Sequence, residues 1–113
     1  MKINLDRGDG VMVHSNETYD VIDNTDLNNL VVSKTKLHEG KETSGHNHTG
    51  QEEVYIFIKG HGKMIVGSNT YIVKEGDIVL IPDGAFHKVW NTSNYKANDP
   101  LEFICVFDGN RNH

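Results

Sequence analysis

The chain is short of the residues that mark several large protein classes. It has one cysteine, Cys105, so no internal disulfide can form, which suits a reducing compartment. Arginine occurs only at Arg7 and Arg111, and acidic side chains outnumber basic ones 16 to 11, for a net charge of -5. With no basic run on such a chain, a nucleic-acid partner is not expected. No run of about 18 apolar residues occurs, so no membrane partner is expected either. Residues 1–10 lack a charged-then-apolar leader, which makes the cytoplasm the expected location. Without such a leader, the N-x-S/T triplets at Asn16, Asn47 and Asn91 read as chance. Helical periodicity is weak throughout. The 113 residues suffice for one core and are read as a single domain, 1–113.

What is present is a succession of short β-branched runs separated by Gly, Asn and Asp clusters. The pattern predicts strands over 11–14, 19–22, 30–37, 46–48, 53–58, 62–66, 71–73, 77–81, 87–91 and 101–107. The Asn- and Asp-rich stretch 14–29 suits turns and edge strands. Gly67-Ser68-Asn69, Lys74-Glu75-Gly76 and Pro82-Asp83-Gly84 read as turns. Ten short strands and no helix predict an all-β sandwich or barrel.

Alternation along 53–58 points Glu53, Tyr55 and Phe57 to one face and Val54, Ile56 and Ile58 to the other. If the first set faces a cavity, the outward set is still wholly apolar, unlike a sheet face meeting water. An N-terminal strand or a second subunit must cover it. A homodimer is the expectation.

Two clusters carry chemistry. The first runs from Gly40 through His46, His48 and Glu53 to Gly60; the second comprises Gly76, Pro82, Gly84, His87 and Asn91. Three imidazoles and a carboxylate are a typical donor set for a divalent transition metal. His46 and His48 at i and i+2 project from one face of an extended strand. The turn Thr49-Gly50-Gln51 can return Glu53 beside them, whereas Glu52 points away. A lone strand histidine is usually packed or solvated, but the pair with a carboxylate and a later His87 outweighs that reading.

These residues make the chain resemble the cupin superfamily, in its small single-domain conserved-barrel type. The first motif, G-x5-H-x-H-x3,4-E-x6-G, matches Gly40, His46, His48, Glu53 and Gly60. The second, G-x5-P-x-G-x2-H-x3-N, matches Gly76, Pro82, Gly84, His87 and Asn91. The resemblance spans about 40–91 and implies a jelly-roll barrel, or double-stranded β-helix. It also implies one bound ion (Mn, Fe, Ni, Zn, Co or Cu) on His46, His48, Glu53 and His87. It does not fix a reaction, because cupins host oxygenases, isomerases, epimerases, decarboxylases, lyases and non-catalytic binders.

The expected pocket wall comprises Phe57, Val89, Phe103, Cys105 and Phe107, mostly apolar with few polar handles; plain core is the competing role for its aromatics. Tyr55 is the candidate proton donor or acceptor. Cys105 is either a buried small hydrophobe or an oxidisable neighbour of the metal. Phe86 and Trp90 fall on the face opposite His87. His14, His38, His61 and His113 lack partner spacing and read as surface or structural, and Asn91 as a backbone anchor. The functional expectation is a metal-dependent enzyme, dioxygenase-like or isomerase-like, acting on a small oxygenated organic molecule. The alternative is a non-catalytic module that binds or senses a small molecule or metal.

Overall fold

The computed structural model describes residues 1–94 and 98–109; Arg111 and His113 lie outside the described residues. Among these, nine strands and one 3-10 turn (Leu5–Arg7) follow in the order β1 (Val11–Ser15), β2 (Tyr19–Asn24), β3 (Leu30–Leu37), β4 (Glu53–Lys59), β5 (His61–Val66), β6 (Asn69–Lys74), β7 (Ile78–Ile81), β8 (His87–Trp90) and β9 (Leu101–Asp108). All pairings are antiparallel. Six strands form one sheet in the order β1-β2-β3-β9-β4-β7, and three form a second in the order β6-β5-β8.

Strict alternation explains why these segments pair as they do. In β3 the residues Val31, Ser33, Thr35 and Leu37 turn inward while Val32, Lys34 and Lys36 turn out. In β9 the inward set is Leu101, Phe103, Cys105 and Phe107. Slipping β3 by one residue would bring Lys34 and Lys36 onto the core face, and slipping β9 would bring Glu102, so register is strongly specified. Leu37, Phe57, Phe103 and Leu101 from the first sheet meet Met64, Val66 and Val89 from the second, and the core lies between the layers. The β5–β6 hairpin closes through Gly67-Ser68, with Asn69 already paired to Val66, so the turn is one residue shorter than expected.

One expected strand is absent. Residues 46–48 contribute only an isolated bridge, His46 to His87. Gly45 sits at φ 74, a left-handed conformation that ends the pleat just before the histidines. A side chain there would also strike the Phe86 ring.

The apolar outer face is present, and the N-terminal strand does not cover it. β1 instead extends the far edge of the same sheet. Two registered rows cross the outer face: Val32, Val106, Val54 and Leu80, then Lys34, Ile104, Ile56 and Ile78. Ile78 and Leu80 on edge strand β7 are 60% and 70% exposed. Charge gathers at the opposite end. There, partial burial of Lys34 works against its charge, but Asp6 at 2.8 Å and Glu102 at 3.4 Å outweigh it and raise its pKa.

Candidate metal centre

Both motif loops converge at one end of the sandwich, at the mouth between the two sheets. Glu53 opens β4 on the six-stranded sheet, and His87 opens β8 on the three-stranded sheet. His46 is delivered by the irregular loop and pinned by backbone bonds in both directions: His87 N donates to His46 O at 2.9 Å, and His46 N to His87 O at 3.1 Å. Gly84 N donates to His48 O at 3.1 Å, tying the second histidine to the Pro82-Asp83-Gly84 turn.

The structure brings His46, Glu53 and His87 together, with one donor atom from each lying within 4.8 Å of the others. His87 Nε2 stands 3.5 Å from Glu53 Oε2. His48 stands slightly apart. Its Nε2 is 4.0 Å from Glu53 Oε1 and its ring 4.6 Å from that of His46, but its centroid lies 6.3 Å from His87. Glu53 and His87 are buried, whereas His46 is exposed at the rim.

The protonation of His87 follows from its neighbours. Nδ1 lies 3.0 Å from the carbonyl oxygen of Ala85, which can only accept, so Nδ1 carries the proton. In the neutral ring Nε2 is then a lone pair, fully buried and without a hydrogen-bond partner. A buried unmade acceptor costs about 1–3 kcal/mol. Its direction toward Glu53 makes it a ready ligand atom, and a ring nitrogen fixed by a backbone carbonyl is the usual support for a metal-binding histidine. The donors therefore fit a divalent ion.

Behind the donors lies a cavity of about 400 Å³. Tyr55 lines it, buried, with its ring stacked on Phe103 at 5.2 Å and edge-on to His87 at 5.6 Å. Phe103, Cys105 and Phe107 line it. Phe57 and Val89 do not: each is 1% exposed and packed in the core outside the cavity wall.

The wall is also more polar than expected. Ser33 and Thr35 on β3, and Tyr19 and Asp23 on β2, face the cavity. So does His14, read from spacing as surface or structural; its ring lies 5.7 Å from that of Tyr19. The i, i+2 placement of Ser33 and Thr35 between Val31 and Leu37 carried this signal, because small hydroxyls on a strand's core face need a cavity or a partner. His38 and His61 stay outside the cluster, 3.9 Å from Asp20 and 3.5 Å from Asp99 respectively.

Other motif residues hold the frame. Asn91 is buried, and its side-chain amide donates to the carbonyls of Leu37 and Asp99, while its oxygen accepts from Ser93 N, each at 3.0 Å. Trp90, on the outer face, lies beneath Lys63 and Lys88 at 4.7 and 5.1 Å. Lys88 also binds Glu42, and that hydrogen bond lowers the Glu42 pKa against a smaller desolvation effect.

Two antiparallel sheets closed over a His/Glu cluster at one mouth define a double-stranded β-helix protein with a candidate metal centre. Residues 33–107 match the sequence profile of the Cupin domain family, and the chain belongs to that family. It is 35% identical over 66 residues to an uncharacterized protein of Methanocaldococcus jannaschii, a match covering 58% of this chain and half of that one. An uncharacterized protein of Streptomyces coelicolor is 32% identical over 79 residues, 70% of either chain. Among solved structures, a double-stranded β-helix protein from Klebsiella pneumoniae superposes with a TM-score of 0.78 at 24% identity, over 98% of this chain and 92% of that one. KdgF from a Halomonas species gives 0.76 at 15% identity, over 94% and 92%. A predicted oxalate decarboxylase from Thermotoga maritima gives 0.74 at 21%, over 96% and 98%. Cupins commonly bind a metal, and the proximity of His46, Glu53 and His87 is consistent with that habit.

Proposed function

We propose that the protein is a divalent-metal enzyme acting on a small oxygenated organic molecule, with His46, His48, Glu53 and His87 as ligands. The observation that carries this reading is the buried, partnerless Nε2 of His87, whose proton is held on Nδ1 by Ala85. A divalent ion on three neutral imidazoles and one carboxylate keeps a net positive charge, and would stabilise negative charge developing on a substrate oxygen.

The chain's own groups serve the rest. The Ala85 carbonyl holds the His87 ring in place. Tyr55, whose ring lies edge-on to that of His87, would hold or move a proton at its phenol oxygen. Phe103 and Phe107 give the inner wall apolar surface for a substrate's hydrocarbon part. Such a site suits an oxygenase acting on an aromatic or enol compound, or an isomerase acting on a keto compound.

Elemental analysis of protein from its native source, followed by oxygen uptake and product analysis on such compounds, tests the reading. One bound transition ion and turnover in either branch are expected. A loaded site that binds these compounds and forms no product would make it a binding module.

The outer face supports a second proposal, that the chain pairs with a copy of itself there. The chain carries a net charge of -5, so copies repel over most of their surface. The rows ending at Leu80 and Ile78 offer seven aliphatic side chains and, at their far end, Lys34. The aliphatic part of the face carries no charge, so two copies can meet there with their carboxylates kept to the Lys34 end, and a two-fold contact needs only one self-complementary patch.

A further inference from the structure

The far wall of the cavity carries a carboxylate oxygen that the fold leaves unused. Asp23 on β2 faces the cavity, and its Oδ1 is fully buried without a hydrogen-bond partner. Leaving a buried carboxylate oxygen unmet costs about 1–3 kcal/mol, so such an atom asks for a partner.

Strand register shows where the oxygen sits. Asp23 pairs with Ser33, Ser33 with Cys105, and Cys105 with Tyr55. These four residues form one row across β2, β3, β9 and β4, and all four line the cavity. The adjacent row is Val21, Thr35, Phe103 and Phe57, with Thr35 its only polar member. A polar track thus crosses the floor beside a row that is apolar except for Thr35. It ends at Asp23 on one side and, on the other, at Tyr55 beside His87. Three strand spacings of about 4.8 Å put the two ends on the order of 10–14 Å apart across the curled sheet.

Charge narrows what this track accepts. Among the described residues, no lysine or arginine lines the cavity, so no permanent cation of the chain faces Asp23 there. We propose that Asp23 determines specificity by receiving the ammonium group of a ligand whose anionic oxygen end sits at the His46, Glu53 and His87 cluster. This rests on the metal reading above and adds the ligand class, a small amino acid with its amine remote from its carboxylate. An ammonium has three protons to place, and the hydroxyl of Ser33 is the cross-strand neighbour of Asp23. An ammonium–carboxylate bond is roughly twice as strong as a neutral one. A hydroxyl would satisfy the lone pair with a single bond from a neutral donor, the weaker of the two.

The test uses the full chain loaded with Ni(II). Its metal content is measured first, so that failure of the metal reading is seen separately; protein that takes up no ion ends both ideas. Loaded protein is then titrated with ε-aminocaproate, ε-hydroxycaproate and caproate by ligand-observed NMR. Binding of ε-aminocaproate about tenfold tighter than caproate is expected, with ε-hydroxycaproate between them. In Asp23→Asn the preference should vanish, with nickel content unchanged. Equal affinities in a nickel-bearing protein, tightest binding of the hydroxy acid, or no binding of any probe would each overturn the role of Asp23 and leave the metal reading standing. The wild-type comparison decides the matter even if the variant fails to fold.

Discussion

The amide of Gly50 donates to Asp83 Oδ1 at 2.6 Å, across 33 residues of sequence. One side chain in the second motif turn thus fixes the loop that delivers His46 and His48. The donor geometry rests on this clasp together with the backbone exchange between His46 and His87.

Asp83→Ala should loosen metal binding without touching a ligand. Losing one charge-assisted hydrogen bond at an exposed site costs on the order of 1–2 kcal/mol. Supporting contacts of metal ligands typically change affinity about 10-fold or more. A competitive chelator titration would register the loss, with circular dichroism unchanged. An affinity equal to wild type would show that the loop is held by other means.

His87→Ala and Glu53→Gln should each lower bound metal at least about 10-fold, because each removes a donor from a set that cannot replace it. His48→Ala should also lower it, and by less than His87→Ala, since His48 stands outside the tightest three-donor group. His61→Ala, beside Asp99, should change nothing. Elemental analysis of the four variants gives the order directly, and equal content in all would remove the site.

Two motif glycines should differ sharply when replaced by alanine. Gly60 and Gly76 both sit at positive φ, 82 and 93. A Cβ at Gly60 would lie 2.5 Å from the backbone oxygen of Pro100, whereas one at Gly76 meets nothing within 4 Å. Gly76→Ala should cost only backbone strain, about 1 kcal/mol, and Gly60→Ala about 3 kcal/mol or more, since it must also displace main chain. Urea denaturation midpoints of the two variants would test the ranking.

Leu80→Lys should convert the proposed dimer to a monomer, visible as a lower sedimentation coefficient at unchanged fold. A wild type that sediments as a monomer at every concentration would dispose of the pairing.

Sequence pattern and structure agree where the chemistry is local. Alternation named the inward set Glu53, Tyr55 and Phe57 because one face of β4 is buried and the other is not. Residues 46–48 went astray for a physical reason. A bridge formed by His46 alone and a pleated strand over 46–48 share the same i, i+2 spacing, and the left-handed Gly45 separates them. The polar floor was hidden for a different reason. Asp23, Ser33, Cys105 and Tyr55 come from four strands, and their alignment exists only once β9 has inserted between β3 and β4. Phe57 and Val89 were assigned to the wall because alternation reports which face a residue takes, not how deep along that face the cavity extends.

Glu53 and His87 belong to different layers of the sandwich. Any cation held by both rivets those layers at one rim, so its free energy of capture becomes resistance to unfolding. An excess of about 100 times the dissociation constant adds about 2.7 kcal/mol. Melting temperature should therefore climb with ion concentration, and chelation should soften the open rim before the packed end around Leu37 and Leu101.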